Sequence, residues 1–414
     1  MSHVRIAIVD PYSSGALLAD SLRTEHVDML AIESSPNLPS AMKSRFDPNN
    51  FCEVVRHRGD LEKTLARISP FQPTHVIAGF ESGVELAEWL STKLGLPTNE
   101  ARLSKARRDK CLMAEAAAQS GLRIAKQFHS DNVADLEAWT RQSLDWPVIV
   151  KPNRSVASDH VFQCRSIDEV RRSAESIFGR PNVLGNENHR ALVQEFLSGV
   201  EYAVDTVSCD GKHKLTAVWQ YERPQDNSRF VPYDAMRLLP YAGTRQSALK
   251  AYAFRLLDAL GIRFGPAHCE LMWVEDSPVL IEVGARMSAG VNAKLSSICG
   301  GISQLDETIS VLLNPDHFSQ TLSDTPHLQK FAANVFLMPH QPGNLVRTRH
   351  QEQLENLPTL HTMSIATQVG AHIERVAGLV TLVSEDRHMI DRDIATIRRL
   401  QEDGFFDTEP ELSA

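Results

Sequence analysis

The chain has 414 residues, of which 42% are hydrophobic and 23% are charged, and its formal net charge is -9. These are the values of an ordinary globular protein, long enough for two or three domains with sizeable cores. A nucleic-acid-binding protein is expected to show a basic bias or a basic stripe, and this sequence has neither. No stretch approaches the roughly 18 apolar residues of a membrane span. We therefore expect neither nucleic acid nor a membrane as a partner.

Six cysteines are scattered along the chain without a Cys-x-x-Cys pair. This spacing argues against a zinc site and against a disulfide framework. The N-terminus, MSHVR followed by a short strand pattern, lacks the apolar core and cleavage site of a signal peptide. We expect reduced thiols and a cytoplasmic location.

The N-terminal part alternates predicted strands and helices. Residues 4–9, 29–33 and 75–79 are short apolar runs typical of buried parallel strands, and helices are predicted between and after them. The alternation predicts a parallel α/β domain over residues 1–105.

The remainder of the chain divides into two further predicted domains. Residues 106–320 begin with a predicted helix at 105–120 and contain the predicted strands 146–151, 191–197, 201–208, 269–274 and 279–283. Beyond about residue 325 the pattern changes to short strands and turns. A small β-rich C-terminal domain is therefore predicted over residues 321–414.

Two lysines and a loop are candidates for contacting an anionic ligand. Lys110 lies in the predicted helix, and Lys151 ends the strand WPVIVK. A lysine at a strand end can reach an anion as a point charge, although a solvated surface lysine is the alternative for each. The following loop, residues 153–161, is rich in small residues that let backbone N–H groups approach phosphates, with Ser155 and Ser158 as further donors. It contains no glycine, and an ordinary surface turn is the alternative.

Two glutamates form a candidate metal site. Glu270 and Glu282 lie in the apolar segments HCELMWV and VLIEVGA, on neighbouring strands of a predicted hairpin. Buried carboxylates need a partner, and Mg²⁺ is usually held by one or two carboxylates plus substrate phosphates. Exposure on the solvent face of the hairpin is the alternative. Arg286 follows Glu282 by four residues and can neutralise a developing oxyanion or a transferring phosphoryl group, unless it is a surface arginine.

Further segments supply candidates for binding a nucleotide and a substrate. Residues 193–202, VQEFLSGVEY, join two strands whose linker can read an adenine edge and whose carboxylate can hold ribose hydroxyls. Glu81 and Ser82 follow a parallel strand, where ligands bind in α/β sheets. Glu81 can hold a substrate ammonium group, or it is a carboxylate favoured by a helix N-terminus. Tyr233 and Asp234 are additional substrate candidates.

Taken in order, these segments resemble the ATP-grasp superfamily over most of residues 1–320. The resemblance implies an ATP-grasp fold with an N-terminal parallel α/β domain, a two-lobed α+β core with a mobile subdomain at about 125–200, and a small β-rich C-terminal domain. It implies ATP and Mg²⁺ as cofactors, with Mn²⁺ as a substitute. The implied roles are phosphate contacts for Lys110, Lys151, Ser155 and Ser158, adenine contacts for Gln194, Glu195 and Leu197, ribose contacts for Glu201, metal binding for Glu270 and Glu282, and catalysis for Lys151 and Arg286.

Within the superfamily, three details are similar to the L-amino acid ligases, which make dipeptides from free amino acids. These are the S-x-A-S-D-x-V loop after Lys151-Pro152, the position of Arg286, and the segment FVPYD at 230–234. The C-terminal stretch FAANVFLMPHQPG is similar as well. The resemblance implies a carboxylate–amine ligase that works through an aminoacyl-phosphate, with amino acids and ATP as partners and a homodimer as the assembly.

Two residues depart from the superfamily pattern. Gly284 stands where an Asn often follows the second metal glutamate, and Gln194 stands where Glu is common. Two alternative functions stay open. One is an ATP-grasp ligase for a non-standard acid or amine in natural-product biosynthesis. The other is a non-catalytic nucleotide-binding protein. The glutamate pair and Arg286 argue against it, because nucleotide binding alone does not require a residue that stabilises a transition state.

Overall fold

The computed structural model describes residues 3–43, 45–223, 234–289, 292–325, 327–373 and 375–410. The chain divides into two compact units, the first comprising residues 1–217, 242–294 and 302–325, and the second residues 218–241, 295–301 and 326–414. A parallel sheet and several antiparallel sheets are present. The predicted mixed α/β fold class is confirmed.

The N-terminal part of the first unit is a parallel sheet with flanking helices. Its elements are β1 (Arg5–Val9), α1 (Ser14–Thr24), β2 (Asp28–Glu33), β3 (Glu53–Arg56), α2 (Leu61–Ile68), β4 (His75–Ala78) and α3 (Val84–Leu94). The strand order is β3-β2-β1-β4, and every pair is parallel. The order therefore reverses between β1 and β4, which is the place where open α/β sheets bind ligands.

The chain segments at this reversal approach closely. A Cβ atom on Gly15 would lie 2.5 Å from the Cα atom of Gly79, so only glycine fits. Asp10, at the end of β1, is fully buried and accepts hydrogen bonds from the Ser34 N–H at 2.7 Å, from the Ser34 hydroxyl at 2.5 Å and from the Ser82 hydroxyl. These bonds tie together the loops that follow β1, β2 and β4.

A second, antiparallel sheet follows in the first unit. The elements are α4 (Lys110–Gln119), β5 (Gln127–Ser130), α5 (Val133–Ser143), β6 (Val148–Pro152), β7 (Phe162–Cys164), α6 (Ile167–Ile177) and β8 (Ala191–Glu195). The strand order is β5-β8-β6-β7, and α5 and α6 pack against the sheet. Helix α4 begins later than predicted, at Lys110, because the Asp109 carboxylate caps it by accepting from the N–H groups of Cys111 and Leu112.

The next stretch of chain contributes elements to both units. Its elements are β9 (Val200–Cys209), β10 (Lys212–Glu222), β11 (Ala235–Leu239), α7 (Thr244–Ala259), β12 (Gly265–Val274), β13 (Ser277–Gly284), α8 (Asn292–Ile298), α9 (Gln304–Leu313) and α10 (Pro315–Gln320). Strand β12 pairs antiparallel with β9 on one side and with β13 on the other. The predicted hairpin of two glutamate-bearing strands is therefore present.

The second unit is rich in strands and also contains a long helix. The remaining elements are β14 (Phe331–Leu337), β15 (Gly343–Thr348), α11 (Gln351–Glu355), β16 (Leu360–Ile365), β17 (His372–Ile373), β18 (Gly378–Ser384), α12 (Arg387–Glu402) and β19 (Phe406–Glu409). Strands β11, β14, β18 and β16 are successive antiparallel neighbours, and β17-β15-β19 form a small sheet. Helix α12 buries Ile390, Ile394 and Ile397 in the core of this unit. In the part of the chain that is described, none of the helices combines the length and apolar composition needed to cross a membrane.

Candidate active site

One face of the β9-β12-β13 segment carries a row of ionisable side chains. The register places Glu270 opposite Glu282 on one side and opposite Ala203 on the other, and places Glu201 opposite Met272. Residues opposite each other, and residues two apart along a strand, point to the same face. Glu201, Glu270 and Glu282 therefore share this face, as the predicted ribose and metal roles require.

Lys110 joins the glutamate hairpin to the small-residue loop. Its Nζ lies 2.8 Å from Glu282 Oε2 and donates to the Ser155 carbonyl oxygen at 2.9 Å. The Lys110 ammonium group thus connects the start of α4 to the end of β13 and to the loop after β6. Lys110, Ser155 and Glu282, which were all predicted as site residues, are therefore in contact although they are far apart in the chain.

Glu270 belongs to a buried triad that sequence reasoning missed. His268 Nδ1 lies 2.6 Å from Asp205 Oδ1, and His268 Nε2 lies 3.3 Å from Glu270 Oε1. Burial lowers the pKa of His268, but the charges and hydrogen bonds of Asp205 and Glu270 outweigh it and raise the pKa to about 10. The sequence does carry a signal for this contact. Asp205 lies in β9 and His268 in β12, and both strands are mostly apolar, so each of these residues needs a polar partner.

The donor set of this face fits a divalent cation that is shared with a nucleotide. Glu270 and Glu282 present two carboxylates, and Mg²⁺ commonly takes one or two carboxylates together with phosphate and water oxygens. Among the described residues, no group of three or more His, Cys, Asp or Glu side chains is arranged to hold a metal ion by itself. The remaining ligands of a bound cation would therefore come from phosphates and water.

Lys151 and Gln194 are in contact across the β6–β8 pair. Lys151 Nζ donates to Gln194 Oε1 at 2.9 Å, and Gln194 Nε2 donates to Gln127 Oε1 at 2.9 Å. Burial and the neighbouring Lys110 charge lower the pKa of Lys151 to about 8. Because Gln194 stands where the superfamily pattern commonly has Glu, it offers Lys151 a neutral hydrogen-bond acceptor and no negative charge.

The linker after β8 lies where an adenine contact was predicted. Glu195 ends β8, its N–H donates to the Lys126 carbonyl at 2.9 Å, and its carboxylate accepts from the Lys126 N–H at 3.0 Å. Leu197 lies in the irregular linker before β9, and Glu201 is buried near the start of β9. Lys126 therefore engages both the N–H and the carboxylate of Glu195.

The loop after β6 is shaped without glycine. Ala157, Ser158 and His160 adopt left-handed conformations with φ values of 56°, 54° and 50°. The Ser155 hydroxyl donates to Asp159 Oδ2 at 2.6 Å, and the same oxygen accepts from the Val183 N–H at 3.0 Å. Asp159 thus holds the loop in place and engages the hydroxyl that was predicted as a phosphate donor.

Arg286 and Glu81, both predicted site residues, form an ion pair. Arg286 Nε donates to Glu81 Oε2 at 2.8 Å, and Arg286 Nη1 donates to the Met287 carbonyl at 2.8 Å. Arg108, which was not predicted, donates to the other oxygen of Glu81. Burial raises the pKa of Glu81, but the two guanidinium groups outweigh it and lower the pKa. Glu81 is thereby kept ionised at the edge of the parallel sheet.

Gly284 is explained by the same ion pair. A Cβ atom at this position would lie 2.9 Å from Glu81 Oε2 and 3.3 Å from Arg286 Cζ. A larger residue, such as the asparagine of the superfamily pattern, would require the Glu81 carboxylate to shift. The departure from the pattern is therefore coupled to the position of Arg286.

Three substrate candidates lie elsewhere or outside the described residues. The Ser82 hydroxyl donates to buried Asp10, so it supports the loops of the parallel sheet. Asp234 belongs to the second unit, where Arg398 donates to its two carboxylate oxygens at 2.8 and 3.1 Å. Tyr233 lies outside the residues that the structure describes.

The chain is similar to known proteins over most of its length. Residues 144–294 match the family model described as an ATP-grasp domain. Dapdiamide A synthase of Enterobacter agglomerans is 28% identical over 413 residues, 96% of each chain. The L-arginine-specific L-amino acid ligase of Bacillus subtilis is 20% identical over 314 residues, covering 74% of this chain and 72% of that protein. The crystal structure of an L-amino acid ligase from Bacillus licheniformis superposes with a TM-score of 0.77 at 16% identity, over 98% of this chain and 99% of that one, which shows a shared fold.

Proposed function

Because the chain belongs to the ATP-grasp superfamily and is an ATP-dependent carboxylate–amine ligase, we propose that it joins two L-amino acids into a dipeptide. The reaction would pass through an aminoacyl-phosphate and release ADP and phosphate. One observation supports this most: Lys110 and Arg286 converge on the two opposed carboxylates Glu270 and Glu282, beside the buried Glu81. Similarity to dapdiamide A synthase and to the L-amino acid ligases supports the same reaction class.

The binding roles follow from the contacts. Glu270 and Glu282 would hold Mg²⁺, for which Mn²⁺ is expected to substitute, and a bound cation neutralises phosphate charge. Lys110 now spans Glu282 and the loop carbonyl, so it can exchange one of these partners for a phosphate oxygen. The proposed nucleotide contacts are Lys151 with Ser155 and Ser158 at the phosphates, Gln194 with the backbone of Glu195 and Leu197 at adenine, and Glu201 at ribose.

The chemistry depends mainly on positioning and on neutralising charge. A carboxylate oxygen of the first amino acid attacks the γ-phosphorus, the bond to ADP breaks, and an acyl-phosphate forms. The neutral amine of the second amino acid then attacks the acyl carbon, and phosphate leaves. Glu81 and the Met287 carbonyl occupy part of the Arg286 guanidinium, and its remaining N–H groups can stabilise the oxyanion of the second step.

The test is product analysis with Mg-ATP and pairs of L-amino acids. We expect ADP, phosphate and dipeptide in equal amounts, and no ADP without amino acids. Glu282→Gln serves as the inactive control. AMP with pyrophosphate would contradict an acyl-phosphate route, and nucleotide binding without turnover for any pair would favour a non-catalytic protein. A homodimer and a cytoplasmic location stay predictions.

A further inference from the structure

A large cavity lies beside the candidate active site, within the first unit. Its volume is about 980 Å³, at the upper end of the range of about 300–1,000 Å³ that is ordinary for small-molecule pockets. Arg108 and Asn153 belong to its wall. Arg108 pairs with Glu81, and the Asn153 carbonyl accepts from the Lys110 N–H at 3.0 Å. The cavity therefore continues the candidate active site and is larger than a standard amino acid needs.

The cavity opens at the ligand-binding edge of the parallel sheet. Ser34, His57 and Ser82 line it, and they follow β2, β3 and β4 respectively. Asp10 accepts from the hydroxyls of Ser34 and Ser82, which holds these two loops together. The cavity is thus built on a rigid edge of the sheet, at the place where α/β sheets bind ligands.

Two buried amide groups in the wall are unsatisfied. Asn153 Oδ1 and Asn188 Nδ2 have no hydrogen-bond partner among the residues that the structure describes. The two residues are only 6% and 5% exposed. A buried polar atom without a partner is unfavourable. Both atoms are closed off from the cavity, so a ligand would reach them only after the side chains turn. Each amide can both donate and accept.

Three of the four carboxylates of the wall are already engaged. Glu85 pairs with Arg154 at 2.5 Å, and Glu88 pairs with buried Arg107 at 2.6 Å and 2.7 Å. Asp109 caps helix α4. These groups therefore have little capacity to bind a cationic ligand.

Two cations of the wall are not engaged. Within the described part of the chain, the side chains of Lys105 and Arg190 have no ion-pair partner, and both are exposed in the cavity wall. Glu187, the remaining carboxylate of the wall, is exposed, and its ion-pair partner among the described residues is His189 at 3.7 Å. An anionic ligand group would give both cations the partner that they lack.

We infer that this cavity binds a second anionic group of the acid substrate, remote from the carboxylate that is joined. The inference rests on the proposed ligase function and names its substrate class: an amino acid extended by a distal carboxylate or phosphate. Lys105 and Arg190 would pair with the anion.

The test compares three acids that differ at the far end of the side chain. L-2-aminoadipate carries a distal carboxylate, O-phospho-L-homoserine a distal phosphate and L-norleucine a methyl group. Each is offered with Mg-ATP and a panel of amino acids as amines, and kcat/KM for ADP release is measured. We expect an anionic acid to exceed L-norleucine by about ten-fold or more, since charge-assisted hydrogen bonds are being formed. The better of the two anionic acids identifies the group.

The variants Lys105→Gln and Arg190→Gln decide whether the cavity is responsible. Each is expected to lower kcat/KM for the anionic acid by about ten-fold and to leave L-norleucine unchanged. Lys212→Gln and Arg172→Gln remove exposed cations outside the wall and are the matched controls. Equal loss in variants and controls overturns the inference.

The same experiment separates this inference from the proposed function. If L-norleucine is used as well as the anionic acids, the substrate class is wrong while the ligase function stands. If no pair yields ADP and dipeptide, the ligase function fails, and calorimetric titration with L-2-aminoadipate and with O-phospho-L-homoserine still decides the cavity. Weaker binding in Arg190→Gln than in Arg172→Gln supports an anion site, and equal binding overturns it.

Discussion

Nucleotide binding is expected to protonate Lys151. This lysine is 6% exposed, and burial together with the Lys110 charge lowers its pKa from 10.5 to about 8. In the free protein it is therefore about half neutral at pH 8 and about one-tenth neutral at pH 7. A triphosphate beside Lys151 favours the ammonium form and raises its pKa. Binding should then take up about half a proton at pH 8 and about a tenth at pH 7.

The sign of the pH dependence follows from the same shift. Below the free-protein pKa of about 8, Lys151 is already charged, so nucleotide affinity does not depend on it. As the pH rises above that value, binding must include protonation, and the affinity falls. If the pKa returns to its ordinary value in the complex, the full loss is about 3 kcal/mol. The phosphates of the nucleotide do not add to this pH dependence near pH 8, because their last pKa is about 6 and they are already deprotonated.

The assay is calorimetry of ADP binding in two buffers of different ionisation enthalpy, at pH 7 and at pH 8. The Lys151→Arg variant keeps the charge but cannot lose its proton, so it should bind ADP without this proton uptake. Lys212→Arg, at an exposed position, is the matched control and should behave as the wild type. Proton uptake that persists at pH 8 in Lys151→Arg, or that is missing from the wild type, would refute the reasoning.

Four further substitutions test the site and the fold. Glu282→Gln should abolish Mg²⁺-dependent ATP turnover with an unchanged circular dichroism spectrum, and wild-type turnover would remove this residue from the metal site. Arg286→Ala should lower kcat by about 10²–10³ while the calorimetric Kd for ATP changes little, with partial recovery in Arg286→Lys; weaker ATP binding at unchanged kcat would make it a phosphate clamp. Gly284→Ala places a methyl group 2.9 Å from a glutamate oxygen of the site, so kcat should fall while the Kd for ADP stays the same, and an unchanged kcat would show that the ion pair moves freely. Arg107→Leu leaves Glu88 buried without its guanidinium partner, so the free energy of unfolding in urea should fall by about 3–5 kcal/mol, and a loss below about 1 kcal/mol would contradict a structural role.

Local patterns were sufficient for several elements and for the first set of candidates. The apolar runs of β1, β2, β4 and β6 identify buried strands, because a short, continuous apolar run bounded by turn residues is typical of a strand that is covered on both faces. Lys151, Glu270 and Glu282 are conspicuous in the same runs, since a charge in apolar surroundings needs a partner. Strand β3 was not predicted because EVVR is short and half-polar.

The partners of these residues were decided by tertiary structure. Arg108 lies in a polar turn before α4 and has no local signal, yet the fold brings it to Glu81. The His268–Asp205 contact depends on the register of β9 against β12, which the alternation of either strand does not specify. The close approach of the Glu81 carboxylate to Gly284 likewise depends on tertiary structure.

The sequence by itself determined the apolar strands β1, β2, β4 and β6 and which charges lie in apolar surroundings, because both depend on neighbours along the chain. It did not determine the strand order β3-β2-β1-β4, the opposition of Glu270 and Glu282, or the cavity with the unsatisfied amides of Asn153 and Asn188. These depend on contacts between residues that are distant in the chain, and such contacts exist only once the sheets have formed and packed.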